Sequence, residues 1–452
     1  VVEQRARAFS HASTTDQEAP VPLTRRQLLS AGGVAAAPFA LGACAGFSTS
    51  GDDASTDEGG ITFTTWGTDA ELAGFRAAIA SFQEAEGATV TLNAVPYEQM
   101  FTTIDAQIQA GNPPDVFRVP YYTFGSYAGQ DQLLDLTPHL PEGFADRFTP
   151  QAWQAVQREG APYGVPHHTD TSVILYNEDL LSQAGVASVP TSIEDAWSWE
   201  EFLEVSRRVK GSLPDGAWPF AYNWQGNGVT RWLSWLFEAD GRFLEDDLVT
   251  AAIDSDAGAR AVRFTQGFFT DDLVPPNSSV KSSTYAADIW YSRTTAMNFA
   301  GAFLVPDATS TLDFPWGATF PPRDVRSAGD FGGNALVATK DVRDPGLVAR
   351  FLDHVTEREQ METFCAGASL LPTRADLIES GIDFEVRPEL APVFLQQAAA
   401  VLPQDSGQVA SPSMSAIITV LQDELERAFV GGRGVDATVQ ALSSGIGEAT
   451  AR

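Results

Sequence analysis

From residue 61 onward, hydrophobic and polar positions alternate between two periods. Ile61-Thr62-Phe63-Thr64-Thr65-Trp66 is β-branched and aromatic and predicts a strand, and the segment after it places Leu72, Phe75, Ile79 and Phe82 on one helical face. Thr89 to Val95 predicts a second strand. Met100, Phe101, Ile104 and Ile108 then line a second helix, which Gly111-Asn112-Pro113-Pro114 stops. Asp115-Val116-Phe117-Arg118-Val119 predicts a third strand. Strands joined by helices of this length imply an α/β class with a mostly parallel sheet flanked by helices. In such sheets ligands sit outside the carboxyl ends of the strands, here Trp66 to Asp69 and Pro120 to Phe124.

Upstream of residue 61 this pattern is absent. Thr24-Arg25-Arg26-Gln27-Leu28-Leu29 leads into the uncharged run Ser30 to Ala43, which ends at Leu41-Gly42-Ala43-Cys44. A paired arginine, about a dozen small or apolar residues and a cysteine after Leu-Gly-Ala have the form of a twin-arginine export signal closed by a lipoprotein cleavage box. The expectation is a signal peptide over 1–43, cleavage before Cys44 and lipidation there, with residues 1–23 a long n-region or sequence upstream of the true start. The run is too short for the roughly 20 apolar residues of a membrane span and is interrupted by glycines and a proline. Residues 44–59 are rich in Gly, Ser, Thr, Asp and Glu, which cannot bury a core and predict a flexible acidic tether. Stable anchoring calls for several acyl chains rather than one.

Charge and cysteine content narrow the function classes. Residues 1–43 carry four of the chain's 28 basic and three of its 59 acidic side chains, so the remainder holds 24 against 56. Such a surface repels nucleic acid and anionic lipid, which leaves the N-terminal lipid as the only expected membrane contact. The stretch beyond the tether exceeds what one core supports, which predicts two lobes. After Cys44 only Cys365 remains, so packing rather than disulfides must stabilise an exported chain, and Cys365 reads as a small buried hydrophobe.

Several collinear blocks carry a resemblance. Thr65-Trp66-Gly67 leads to a helix with Phe82-Gln83 before Gly87; then come Ala110-Gly111-Asn112-Pro113-Pro114-Asp115-Val116 and Leu133-Leu134-Asp135-Leu136-Thr137-Pro138. Tyr163-Gly164-Val165-Pro166 precedes Leu175-Tyr176-Asn177-Glu178-Asp179-Leu180 and Ala184-Gly185-Val186. Ala296-Met297 with Gly301-Ala302-Phe303, then Gly332-Gly333-Asn334 and Leu370-Leu371-Pro372-Thr373-Arg374, complete the series. Over residues 60–380 this order resembles the extracellular solute-binding proteins that feed sugars to ABC importers, the family of the maltose-binding protein. Two departures stand out: Asp195 to Phe202 is longer than the family's corresponding block, which predicts a surface insertion, and Phe303 stands where a tryptophan is common, which would alter the ligand platform.

The resemblance implies a two-lobed periplasmic-binding-protein-like fold, each lobe a mostly parallel sheet flanked by helices, joined by a multi-crossing hinge. The expected division is 60–168 with 328–378 for the N-terminal lobe and 169–327 with 379–452 for the C-terminal lobe. Crossings are expected near Gly164 to Asp170, Pro322 to Asp330 and Asp376 to Asp383. A ligand touching both lobes selects the closed state, which the permease subunits of an ABC transporter read. A sugar's apolar ring faces and hydroxyl rim call for aromatic platforms with carboxylates, amides and indole N–H groups, and the chain holds ten Trp and nine Tyr. Trp66 and Asp69 are assigned to the cleft edge after the first strand. Tyr121 and Tyr122 follow the third strand where the family contacts its sugar, and Asp170 matches its acidic cleft residue. Asn223, Trp224 and Gln225 end the strand predicted over Trp218 to Tyr222. Gly301 and Phe303 take the turn where the family stacks an aromatic, and Asn334 closes the Gly-Gly turn.

Packing competes with binding at several of these positions. Trp232 and Trp235, three apart on a helix, read as core, and Trp153, Trp290 and Trp316 as packing. Trp224 and Phe303 stand open between core and platform, and Asp69 between ligand contact and helix cap. Arg374 reads as the partner of a surface acid in preference to a ligand contact. No nucleophile elbow, phosphate loop or metal cluster is present in the sequence, so no catalytic residue, cofactor or metal is expected. His167 and His168 are adjacent, and neighbouring side chains on a strand should diverge. The leading expectation is a monomeric, lipid-anchored sugar- or oligosaccharide-binding protein on the outer face of the cytoplasmic membrane. The alternatives are a secreted glycosidase using two cleft carboxylates, and the same binding fold used for a non-sugar solute.

Overall fold

The computed structural model describes residues 60–451; the expected export signal, Cys44 and the tether lie outside them. Twelve strands follow in chain order: β1 Ile61–Thr65, β2 Val90–Ala94, β3 Val116–Pro120, β4 Gln157–Arg158, β5 Ala161–Pro162, β6 Val165–Asp170, β7 Ser172–Asn177, β8 Trp218–Tyr222, β9 Thr295–Gly301, β10 Trp316–Thr319, β11 Gly332–Ala338 and β12 Leu371–Pro372. They form a six-stranded sheet in the order β12-β6-β11-β3-β1-β2, a four-stranded sheet in the order β10-β7-β9-β8, and the hairpin β4-β5. Each larger sheet with its helices makes one lobe.

Sequence periodicity places the first elements within a residue or two. The helix α1, Asp69–Glu86, buries Phe75, Ala78, Ile79 and Phe82, and it starts from a capping box in which Thr68 and Glu71 satisfy each other's backbone N–H. The cap considered for Asp69 therefore falls to Thr68. The helix α2, Tyr97–Gln109, buries Met100 and Ile104, and α3, Tyr121–Gly129, begins directly at the end of β3. Alternate residues of the strands face opposite layers. On β11, Leu336 and Ala338 join one hydrophobic cluster with Ile61 and Phe63, while Ala335 and Val337 join another with Phe117 and Phe124. A third cluster fills the second lobe, with Phe220, Tyr222 and Phe299 packed with Trp232, Trp235 and the Met414–Phe429 helix.

Most strands of each sheet share one direction, but the neighbour pairing is mixed. β1 pairs in parallel with β2 and β3, and β8 with β9, whereas β11 runs antiparallel to β3 and β6, and β7 antiparallel to β9 and β10. Of the three reversed strands, β7 and β11 are those by which the chain enters a sheet from the other lobe, and β12 pairs antiparallel with β6 at the sheet edge. A chain leaving one sheet at its carboxyl edge enters the next at the same edge and must run away from it. The first crossing is short: β6 ends at Asp170 and β7 starts at Ser172. The return runs from Thr319 on β10 to Gly332 on β11. After β12 the chain reaches the Ala391–Ala399 helix, which packs against β7.

One expectation about β6 fails. His167 and His168 do not diverge; their Nδ1 atoms lie 3.1 Å apart. The register explains it: Asn334 pairs with His168 but Ala335 pairs with Pro166, so His167 is the extra residue of a β-bulge. The bulge turns the two rings toward each other. Both are buried, His167 stacked on Phe75, and no cluster of three metal-ligating side chains occurs among the described residues.

Candidate ligand-binding site

The carboxyl ends of β1 and β2 carry an aromatic wall. The Trp66 ring centroid lies 5.2 Å from that of Tyr97 and 5.9 Å from that of Phe101, so the loop after β1 and the first turn of α2 share one apolar surface. Successive residues of α3 split between core and cleft. Tyr121 is fully buried, packed on Phe331 with its hydroxyl donating to the His168 carbonyl, whereas Tyr122 is half-buried with its hydroxyl 2.8 Å from that of Tyr97. Burial, followed by the neighbouring Tyr97 hydroxyl, pushes the Tyr122 phenol well above its ordinary range, so it stays a neutral donor and acceptor.

Behind this wall lies a buried polar cluster on Arg118. Its guanidinium carbon sits 4.5 Å from the Trp66 ring, and Nη1 donates to the Trp66 carbonyl at 2.9 Å. Nη2 pairs with Glu71 Oε1 at 2.6 Å and reaches His168 Nε2 at 3.0 Å, and Asn334 Nδ2 lies 3.0 Å from the same nitrogen. Arginine can only donate, so His168 Nε2 accepts and its proton resides on Nδ1, which donates to His167. Burial, then the Arg118 charge, pushes His167 down to about 3 and His168 well below its ordinary value. Burial alone would raise Glu71, but Arg118 and the Thr68 amide outweigh it and hold the carboxylate below its usual range.

The second lobe contributes Arg231, near the end of the short helix Gly226–Trp232. Its Nη2 donates to Asp170 at 2.9 Å, and its Nη1 to Asp330 at 2.7 Å and to the Ser172 hydroxyl at 3.0 Å. Asp170 closes β6 and Asp330 stands before β11, so one cation ties both crossings. Asp170 Oδ1 also accepts from the Ala302 amide at 3.0 Å. Burial, opposed by Arg231, leaves the Asp170 carboxyl above its usual value, and the two carboxylates in turn outweigh burial and raise Arg231. Phe303, 36% exposed, lies with its ring 5.9 Å from the Arg231 guanidinium carbon.

Between the lobes runs a groove of about 410 Å³. α2 and α3 supply Phe101, Asp105 and Thr123, and the short helix Gly226–Trp232 and the Met414–Phe429 helix supply Asn227, Ser415, Thr419 and Gln422. Amides and hydroxyls dominate it, and Asp105 is its one charged lining residue among those described. Its volume falls within the roughly 300–1,000 Å³ of small-molecule sites.

The candidates read from sequence divide accordingly. Trp66 and Tyr122 are half-buried and Phe303 is exposed, none of them among the groove's lining residues, and Asp69 is exposed in the first turn of α1. Asn223 is half-buried. The others are engaged internally. Trp224 is fully buried, donating Nε1–H to the Ser278 carbonyl at 2.7 Å and stacking on Phe429, so it offers no free face and its role is packing. Gln225 is buried with Nε2 on the Tyr222 carbonyl. Tyr121, Asp170 and Asn334 are committed to the interactions above. Gly301 is required by close approach: a Cβ there would meet Asp170 Oδ2 at 2.3 Å. Arg374 pairs with Asp376 rather than standing free for ligand. Sequence reasoning missed Tyr97, Phe101 and Arg231. For the two aromatics the signal was present, since α2 begins one turn beyond β2.

Residues 66–362 match the family model described as bacterial extracellular solute-binding protein. The chain belongs to this family. Among its relatives, the maltodextrin-binding protein MdxE of Bacillus subtilis is 24% identical over 294 residues, which cover 61% of this chain and 65% of the relative. The arabinooligosaccharide-binding protein of Halalkalibacterium halodurans is 28% identical over 116 residues, 25% of each chain. The chain thus spans between a quarter and just under two-thirds of the length of these family members. In fold, it is similar to the cyclic alpha-maltosyl-1,6-maltose binding protein from Arthrobacter globiformis, with a TM-score of 0.74 and 17% identity over 86% of this chain and 98% of that one. That likeness shows the two-lobed fold.

Proposed function

We propose that this chain captures an uncharged sugar or oligosaccharide between its lobes and delivers it to the permease of an ABC transporter. The observation that carries the reading is the interlobe groove, with hydroxyls and amides along its length and the aromatic Trp66–Tyr97–Phe101 wall beside it. Such a lining suits a ligand with apolar ring faces and a hydroxyl rim, and the absence of a cation from the described lining disfavours an anionic solute. The relatives named as maltodextrin- and arabinooligosaccharide-binding proteins agree with it.

The protein is a binder rather than a glycosidase on this reading. Asp170 and Asp330, the carboxylates nearest the crossings, are both spoken for by Arg231, which leaves neither free as a general acid or base. We read 60–168 with 328–378 as one lobe and 169–327 with 379–452 as the other; β6, which belongs to the six-stranded sheet, runs on to Asp170, two residues past the first boundary. The segment 403–409 touches both sides, because Ser406 bonds to the Gln151 carbonyl at 2.8 Å and Gln408 to the Phe243 amide at 2.9 Å. No helix among the described residues is long and apolar enough to cross a membrane. The twin-arginine signal and the Leu-Gly-Ala-Cys44 box support export and lipid anchoring at the outer face of the cytoplasmic membrane, and we read the chain there as a monomer.

A thermal-shift screen against maltotriose, arabinotriose, galactobiose, chitobiose and anionic sugar phosphates tests the reading. A ligand at a hundred times its Kd adds about 2.7 kcal/mol to the folded state. A dose-dependent shift with a neutral sugar, without its cleavage, is expected. A shift with sugar phosphates alone would overturn the ligand class.

A further inference from the structure

Arg118 and Arg231 stand in different lobes and do the same two things. Arg118 holds the Trp66 ring and carbonyl on one side, and on the other bonds His168 of β6, whose ring Asn334 of β11 also approaches. Arg231 lies against Phe303 on one side and grips Asp170 of β6 and Asp330 before β11 on the other. The crossing strands are therefore pinned twice, once at the His168–Asn334 pair and once at the Asp170–Gly332 pair with Asp330. Between the two pins lies one pair, Thr169 with Gly333.

The backbone at that pair is built to bend. Gly333 has φ +93°, a conformation that costs glycine little, and a Cβ there would lie 2.4 Å from the His168 carbonyl oxygen. The His167 bulge interrupts the ladder on the N-terminal-lobe side of the pair, where bulges increase local twist. Asp170 and Asp330 move with the second lobe, since Asp170 Oδ1 accepts from Ala302 and Asp330 Oδ1 accepts from Ser172.

We infer that Arg118 and Arg231 are matched positioning residues, each fixing the cleft aromatic of its own lobe to one end of the crossing strands, so that closure bends the chain at Thr169–Gly333. The inference rests on the sugar-capture reading for its purpose but not for its geometry. Each guanidinium carries a cleft contact and a hinge contact in one rigid plane, so a displacement of Trp66 or Phe303 by ligand is felt at the strands. Arginine is required because a lysine amine cannot serve three partners in a fixed fork.

The test uses the full chain without ligand. Amide hydrogen exchange is compared for wild type, Arg231→Met and Arg231→Lys, and Trp66 emission, isolated by subtraction of Trp66→Phe, for wild type, Arg118→Met and Arg118→Lys. Loss of the charged bonds should speed exchange at Ser172 and Ala302 on the order of tenfold in Arg231→Met, with core strands β1 and β9 unchanged. Trp66 emission should shift in Arg118→Met, and the lysine variants should fall between; if a methionine variant does not fold, its lysine counterpart carries the comparison. Small-angle scattering with maltotriose or arabinotriose, whichever binds the wild type, adds that Gly333→Ala reduces the ligand-induced contraction. Unchanged exchange at Ser172 and Ala302 with unchanged Trp66 emission would overturn the inference, as would faster exchange spread evenly over both lobes. If no sugar binds the wild type, the capture reading falls, and the exchange and emission arms still decide the positioning roles.

Discussion

The hydroxyls of Tyr97 and Tyr122 lie 2.8 Å apart at the rim of the first lobe. One residue opens α2 and the other is the second residue of α3, so the bond joins the N-terminal ends of the helices of two consecutive βα units. Tyr97 is 36% exposed, and its ring continues the Trp66 surface. Tyr97→Phe and Tyr122→Phe should each weaken sugar binding by about three- to tenfold, the range of one neutral hydrogen bond, while changing the unfolding free energy by less than about 1 kcal/mol. Calorimetric titration of the single and double variants checks this; independent, additive losses would show that the hydroxyls do not act as a pair.

Trp224 and Phe303 should separate cleanly. Trp224→Ala empties a fully buried site between Tyr222 and Phe429 and should cost about 3–5 kcal/mol in urea unfolding. Phe303→Ala, at a 36% exposed position, should cost little stability but about tenfold or more in sugar affinity, as an aromatic anchor does. A Phe303 variant with wild-type affinity would remove the second lobe's aromatic from the ligand contact.

Much of the first lobe was legible in the sequence. Period-two and period-3.6 patterns located β1, α1, β2, α2 and β3, because each element buries one face and its neighbours punctuate it. The site was less legible, for a physical reason visible at Trp224 and Asp170. Both residue types suit a sugar, and both follow or end a strand, but whether the side chain turns to the groove or the core depends on partners far along the chain: Ser278 for Trp224, Arg231 and Ala302 for Asp170. Arg231 itself carries no local signal, since its role exists only once β6 and β11 lie side by side.

Gly301→Ala isolates such a long-range constraint. The new methyl would approach Asp170 Oδ2 to 2.3 Å and force the carboxylate away from Arg231 or Ala302. A loss of about 1–3 kcal/mol is expected, of the size seen for overpacking. Differential scanning calorimetry reads it, and an unchanged Tm would show that Asp170 can move freely.

The buried histidines give stability a defined acid dependence. His167 is held down to about 3 in the folded chain, while an unfolded histidine titrates near pH 6.5. Its neutral form thus supports folding fully above pH 6.5, and that support is lost as pH falls toward about 3. Relative to His167→Gln, which keeps an acceptor for His168, the wild type should lose about 1.4 kcal/mol per pH unit below 6.5. Urea midpoints of the two proteins between pH 7.5 and 5 check it, and a constant gap would contradict a neutral buried His167.

The central claim is that a sugar is held between the lobes and draws them together. Small-angle X-ray scattering of the wild-type chain, with and without a saturating neutral sugar found in the screen, measures this directly. A fall in the radius of gyration that disappears in Trp66→Ala and Phe303→Ala is the predicted result; an unchanged radius with sugar bound, or cleavage of the sugar during the measurement, would contradict it.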